Sequence, residues 1–222
     1  NGPVGCMEHR CGRGLVNLPG LDAYQAVFQV IYPPNAVLPG GEARFETADA
    51  TPLFLATSGE YVRATGDRRL VTGGPNFWFK SVFAMRGLYE EDSRNGNALA
   101  SGRLLSRDGR TAWMDQGETT GGIQRRGAPV EAQAALYAAL QTVRQYAEIM
   151  GVAGRENTRW YADTSRVLLG DLRERYVQNG VLVDRLGPDG APSGGGSPAT
   201  LVALDLLDDL PAEERGRLAR AT

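Results

Sequence analysis

The sequence predicts an all-α fold made of consecutive antiparallel helix pairs, best satisfied by an (α/α) barrel of unequal hairpins. Three observations lead there. Apolar residues recur at helical spacing in about seven segments. The connections between them are rich in Gly, Pro, Asn and Ser and carry little strand character. No self-similarity at the roughly 34- or 40-residue periods of helical solenoids is visible, which excludes a tetratricopeptide-like array.

Each element has a local reason. Residues 1–44 are rich in Gly and Pro, except for 21–31, where Leu21, Tyr24, Val27, Phe28 and Ile31 fall on one helical face before Pro33 and Pro34 end it. Thr47 is a suitable N-cap for a helix over 47–65; Pro52 fits within its first turn and Gly66 closes it. The apolar residues of that helix are Leu53, Leu55, Tyr61 and Val62. A third helix over 75–90 starts at Pro75 and presents Phe77, Trp78, Val82, Met85 and Leu88. Residues 92–124 read as a long polar loop interrupted by the apolar Ala112-Trp113-Met114.

The strongest helical pattern covers 129–150. Val130, Ala134, Tyr137, Leu140, Val143, Ala147 and Met150 keep the period, and alanines raise its propensity. Its partner over 157–176 is expected to turn Trp160, Thr164, Val167, Leu168 and Leu172 inward. Asn179-Gly180 predicts a turn into a short extended Val181-Leu182-Val183. A flexible loop over 187–197 and two helices, 198–207 and 211–221, complete the reading. All 222 residues form a single domain, with 1–44 as its loop-rich N-terminal part.

Composition narrows the function. With 42% hydrophobic and 23% charged residues, a disordered tail, collagen repeat or coiled coil is excluded. No apolar stretch reaches the roughly 18 residues of a membrane span. Residues Asn1-Gly2-Pro3-Val4-Gly5 lack the basic and apolar regions of a secretory leader, so a cytoplasmic location is expected. The 24 basic and 26 acidic residues leave a charge of -2, which argues against nucleic acid or anionic lipid as a partner. Lys80 is the only lysine and lies in no phosphate-binding loop; Gly12-Arg13-Gly14 lacks the third glycine of a dinucleotide site, so no cofactor is expected.

Cys6, Glu8, His9 and Cys11 could bind a metal, but a reduced cysteine pair without function is the better reading, and no metal is expected. With His9 the single histidine and no G-x-S-x-G elbow, carboxylates are the first suspects for catalysis.

Carboxylates and aromatics gather at three places. Glu46-Thr47-Ala48-Asp49 stands at a helix start, where Asp49 also suits the helix dipole as a mere capping acid. Trp113-Met114-Asp115 sets an aromatic ring beside an acid. Such a ring can stack on a pyranose, and an apolar neighbour raises a carboxyl pKa so that it holds a proton; a loop Trp is otherwise a packing plug. Arg125-Arg126-Gly127-Ala128-Pro129-Val130-Glu131 opens the best helix. There Arg126 can pair with Glu131 or orient a hydroxyl, while Glu131 is otherwise a dipole-matching residue.

Taken in order, Thr47-Ala48-Asp49-Ala50, the run Gly59-Glu60-Tyr61-Val62-Arg63-Ala64-Thr65-Gly66-Asp67, Thr111-Ala112-Trp113-Met114-Asp115, and the Arg125 to Glu131 motif with Ala135-Leu136-Tyr137-Ala138-Ala139-Leu140 resemble the amylo-α-1,6-glucosidase (glycogen debranching enzyme) family. The similarity spans about residues 31–207. The resemblance implies an (α/α)6 toroid, a six-hairpin glycosidase, and inverting hydrolysis of α-1,6-linked glucosyl stubs on a glycogen-like glucan. It implies Asp115 as general acid, with Asp49, Trp113, Arg126 and Glu131 binding substrate.

Inversion requires a second carboxylate as base, about 6.5 to 9.5 Å from the acid. The family's proposed base lies in a later helix, and no residue here matches it. Gly14 stands where the family has an Asp, and Gln133 where it has an Asn. Twelve helices need about 350 residues or more, so this sequence implies an incomplete toroid, whose exposed helix faces would be met by a second copy or by the remainder of a longer chain. Two alternatives are a toroid glycosidase for trehalose, a mannosyl-glycerate or glycan glucose, and a non-catalytic helical module that binds glycan or protein.

Overall fold

The computed structural model describes residues 36–37, 43–44, 50–73, 81, 85, 127–152, 156–195 and 197–221. The fold is all-α, of the kind expected for part of an (α/α)6 toroid, with short two-residue strand pairings at helix ends. In chain order the elements are β1 (Ala36–Val37), β2 (Ala43–Arg44), α1 (Ala50–Thr65), α2 (Arg69–Thr72), β3 (Ala128–Pro129), α3 (Val130–Ile149), α4 (Glu156–Asp171), a π-helical turn (Leu172–Tyr176), β4 (Val177–Gln178), β5 (Val181–Leu182), β6 (Arg185–Leu186), β7 (Pro192–Ser193), α5 (Pro198–Leu206) and α6 (Ala212–Ala221). Ser81 and Met85, within the expected helix over 75–90, are helical and buried. The expected helix over 21–31, the loop over 92–124 and the Cys6–Cys11 region lie outside the described residues.

Local chemistry accounts for the boundaries. Gly66 takes a left-handed φ of 69° and returns its N–H to the Val62 carbonyl at 2.9 Å, closing α1. Gly151 does the same for α3 with φ 67°. Asn179 and Gly180 both have positive φ, 54° and 81°, which is what the tight turn between β4 and β5 requires. Within 187–197, expected as a flexible loop, β7 instead pairs antiparallel with β6 just before it, and a 2.7 Å bond from Gly187 N–H to the Ala191 carbonyl closes the turn between them.

Helix α3 is the centre of the fold. It is apolar around most of its circumference, which makes it an interior helix rather than a surface one. Helices α1, α4 and α5 pack around it. Where α1 meets α3 the backbones come close: a Cβ on Gly59 would stand 2.2 Å from Thr142 Oγ1. Three residues on, Val62 shares a small cluster with Tyr146. The pairings climb together, so α1 and α3 run in the same direction. Helix α5 runs that way too, because its start is joined to the start of α3 through Asp184 and its far end returns Asp209 to Gln141. Parallel inner helices separated by antiparallel partners are the arrangement an (α/α) toroid demands.

Two expected inward residues prove outward. Met150 is 40% exposed, lying past the last full turn of α3, and Val167 is 67% exposed. Along α4 and the π-helical turn after it, Leu168 and Leu172 are buried as expected, together with Tyr161 and Ser165, whereas the expected Trp160 and Thr164 are half-buried. Tyr61, counted with the apolar residues of α1, is 46% exposed.

Candidate functional site at the shared helix starts

The parallel helices open at one end, and a small sheet fastens two of them there. β6 lies between β3 and β7, pairing Ala128 with Leu186 and Arg185 with Ser193. The residue before β3, Gly127, adopts φ 115° and passes so near β6 that an added Cβ would meet the Leu186 carbonyl oxygen at 2.0 Å. Only glycine permits that approach, which explains its place between Arg126 and Ala128.

Asp184 links the two helix starts. Its backbone carbonyl accepts the Val130 N–H at 2.9 Å, satisfying one of the first donors of α3. Its side chain is buried; Oδ1 accepts the Ser197 hydroxyl at 2.5 Å, and Oδ2 lies 3.8 Å from Arg185. Ser197 is the residue before Pro198, the first residue of α5. One aspartate thereby fixes the mouths of α3 and α5 relative to each other. Tyr176, fully buried at the end of the π-helical turn, donates its hydroxyl to the Ala128 carbonyl at 3.0 Å and braces β3 from behind.

Glu131 stands in the first turn of α3 and is 1% exposed. A dipole-matching surface acid would be solvated, so burial sets this carboxylate apart from that reading. Taking a carboxylate out of water costs several kcal/mol, and the positive end of the helix dipole offsets part of it. Gln133, also buried, turns its side-chain amide back to donate to the Pro129 carbonyl at 3.0 Å. This bond stiffens the turn that carries Glu131.

Of the residues singled out in the sequence, the structure therefore places Glu131 at the opening of the parallel helices. Asp49, Trp113, Asp115 and Arg126 lie outside the described residues; in sequence, Asp49 directly precedes α1 and Arg126 directly precedes Gly127. Sequence reasoning missed Asp184 and Ser197. The only local signal is an acid following the extended Val181-Leu182-Val183, and it says nothing about pairing with residue 197.

The opposite end is held by a different polar set. Tyr146 donates to Ser58 Oγ at 2.7 Å, and Ser58 donates to the Leu55 carbonyl at 2.8 Å. Burial pushes the Tyr146 phenol up to about 12. Tyr137 donates to Asp209, which also accepts from Gln141 at 2.6 Å; burial and the Asp209 carboxylate hold the Tyr137 phenol well above its ordinary value. Neighbouring Asp208 pairs with Arg63 of α1, so the turn after α5 is fastened to both α1 and α3.

Among the described residues, no helix is long and apolar enough to cross a membrane. No group of three or more His, Cys, Asp or Glu side chains among them is placed to hold a metal ion. A family model described as amylo-alpha-1,6-glucosidase matches residues 21–219. No curated protein matches the chain.

Proposed function

The chain belongs to the amylo-alpha-1,6-glucosidase family, and from that premise we propose that the end where α1, α3 and α5 begin binds the terminal glucosyl unit of an α-glucan and takes part in hydrolysis of its α-1,6 linkage. Glycosidase chemistry is the family's character; the α-1,6-glucosyl substrate, the inverting course and the residue roles are our reading. The observation that carries it is a buried carboxylate, Glu131, in the first turn of α3, at the end where Asp184 ties the starts of α3 and α5 together and Gln133 braces the turn. Rigid acids at helix openings suit a neutral polyol, whose hydroxyls donate to them.

In this reading Asp115 gives its proton to the glycosidic oxygen as the C1–O bond breaks. Trp113 stacks on the sugar ring, and Asp49, Arg126 and Glu131 hold hydroxyls. Water then attacks C1 from the opposite face, losing its proton to a base carboxylate about 6.5 to 9.5 Å from the acid. No residue of this chain matches the family's base, so the residues here account for binding and protonation. That same gap favours, as a second reading, a module that binds α-glucan without turning it over.

Glucose release from a branched dextrin with single α-1,6-glucosyl stubs, measured in the full-length protein, separates these. Asp115→Asn is expected to slow release by at least ~10², the usual worth of a general acid, with β-glucose as the first product of the wild type. Wild-type-like release by Asp115→Asn removes that residue from the mechanism, and saturable binding without release supports the second reading.

A further inference from the structure

We propose that a second carbohydrate-docking groove lies along α1 and α2, remote from the Glu131 end, and that it takes a neutral α-glucan strand. This rests on the α-glucan reading above. The groove is a shallow, largely open depression of about 670 Å³. It is lined by half-buried Phe54 and Leu70 and by Tyr61, with Asp67 and Arg69 at its rim. Tyr61 stands about 16 Å along α1 from Ala50 at the 1.5 Å rise of a helix, so the groove and the Glu131 end occupy different regions.

Charge decides the ligand class. Asp67 grips Arg69 bidentately, Nε to Oδ1 at 2.8 Å and the terminal nitrogen to Oδ2 at 2.7 Å, and accepts the Arg69 backbone N–H at 3.0 Å. The Tyr61 hydroxyl donates to the same carboxylate at 3.2 Å. The Arg69 guanidinium is thus neutralised by its own neighbour, and the lining residues carry no surplus positive charge for a phosphate or a carboxylate ligand. With its four lone-pair sites taken by these bonds, the carboxylate has none to offer, and what the rim retains is the remaining N–H donors of the exposed Arg69 guanidinium, suited to sugar hydroxyl oxygens. Beside it is the aromatic ring of Tyr61, 46% exposed, on which the C–H face of a pyranose can stack. An apolar platform next to paired, neutral polar groups is what a sugar strand presents in mirror image.

Such a groove raises the local concentration of a polymeric substrate at the Glu131 end and leaves short substrates unaffected. The test is retention of the 222-residue protein on insoluble amylose, alongside calorimetric binding of an isomaltosyl stub. Tyr61→Ala and Arg69→Ala are expected to weaken amylose retention roughly tenfold while stub binding is unchanged. Tyr61→Phe, which keeps the ring and guards against a misfolded alanine variant, should stay within about threefold of wild type. Inorganic phosphate should not displace the glucan. Equal retention of wild type and both alanine variants overturns the groove and leaves the Glu131 reading standing, as does stub binding with no amylose retention. Displacement by phosphate overturns the neutral ligand. Loss of both amylose and stub binding in the wild type overturns the groove together with the function it rests on.

Discussion

Replacing Gly127 by alanine is the most direct structural perturbation of the helix opening. The residue has φ 115°, a region essentially confined to glycine, and holding alanine there costs of order 1–3 kcal/mol. The added Cβ would meet the Leu186 carbonyl oxygen at 2.0 Å and the Gly187 backbone at 2.9 Å. Those are main-chain atoms, so no rotamer change relieves the clash. Relief requires β3 to move off β6, which disturbs the Ala128–Leu186 pairing and the 3.0 Å bond from Tyr176, each worth about 1 kcal/mol. The sum is about 3 to 5 kcal/mol, a large part of the roughly 5–15 kcal/mol stability of a domain. Urea unfolding followed by circular dichroism measures it, with the denaturant dependence itself unchanged. A Gly127→Ala variant within about 0.5 kcal/mol of wild type would falsify the claim that close backbone approach holds this end together.

Three further perturbations probe the packing around α3 and α4. Gly170 lies exposed near the end of α4 with nothing within 4 Å of an added Cβ and no positive φ, so Gly170→Ala should stabilise by about 0.5–1 kcal/mol in the same assay, and any destabilisation contradicts the exposed placement. Gly59→Ala collides with buried Thr142 and should cost about 1–3 kcal/mol; adding Thr142→Ala should recover most of it, and a double variant as unstable as the sum of both singles would show that the helices do not touch there. Tyr146→Phe loses the bond to Ser58 and should cost about 1 kcal/mol near neutral pH. Because the folded phenol titrates at about 12 against an ordinary 10.0, the unfolded chain releases its proton first and wild-type stability falls between those values by roughly 2–3 kcal/mol. The phenylalanine variant lacks that fall, so above pH 11 the stability gap should close or reverse; a constant gap across that range refutes the assignment.

How far the sequence disclosed these features depends on whether they are local. α3 was legible almost to the residue, since its alanines and apolar period act within the helix itself. The Asn179-Gly180 turn was legible because two successive positive φ values select those residues. The inward face of α4 was legible at Leu168 and at Leu172 just beyond it but not at Tyr161 and Ser165, because Trp160-Tyr161 and Val167-Leu168 offer two neighbouring apolar stripes and only packing on α3 selects between them. At the helix opening, Glu131 could be named from a motif, but its burial could not. Asp184 was invisible for a stronger reason: it acts through Val130 and Ser197, two partners on opposite sides of it in sequence. The positive φ of Gly127 likewise follows from β6, some sixty residues later, rather than from its neighbours.

The central claim is that the shared opening of the parallel helices is where sugar binds. Calorimetric titration of an isomaltosyl oligosaccharide into wild type and Glu131→Gln tests it with a change that preserves volume at a buried position. Saturable binding by the wild type, weakened at least tenfold in a variant whose circular dichroism is unaltered, is the predicted result. Equal affinity in the two proteins would contradict it.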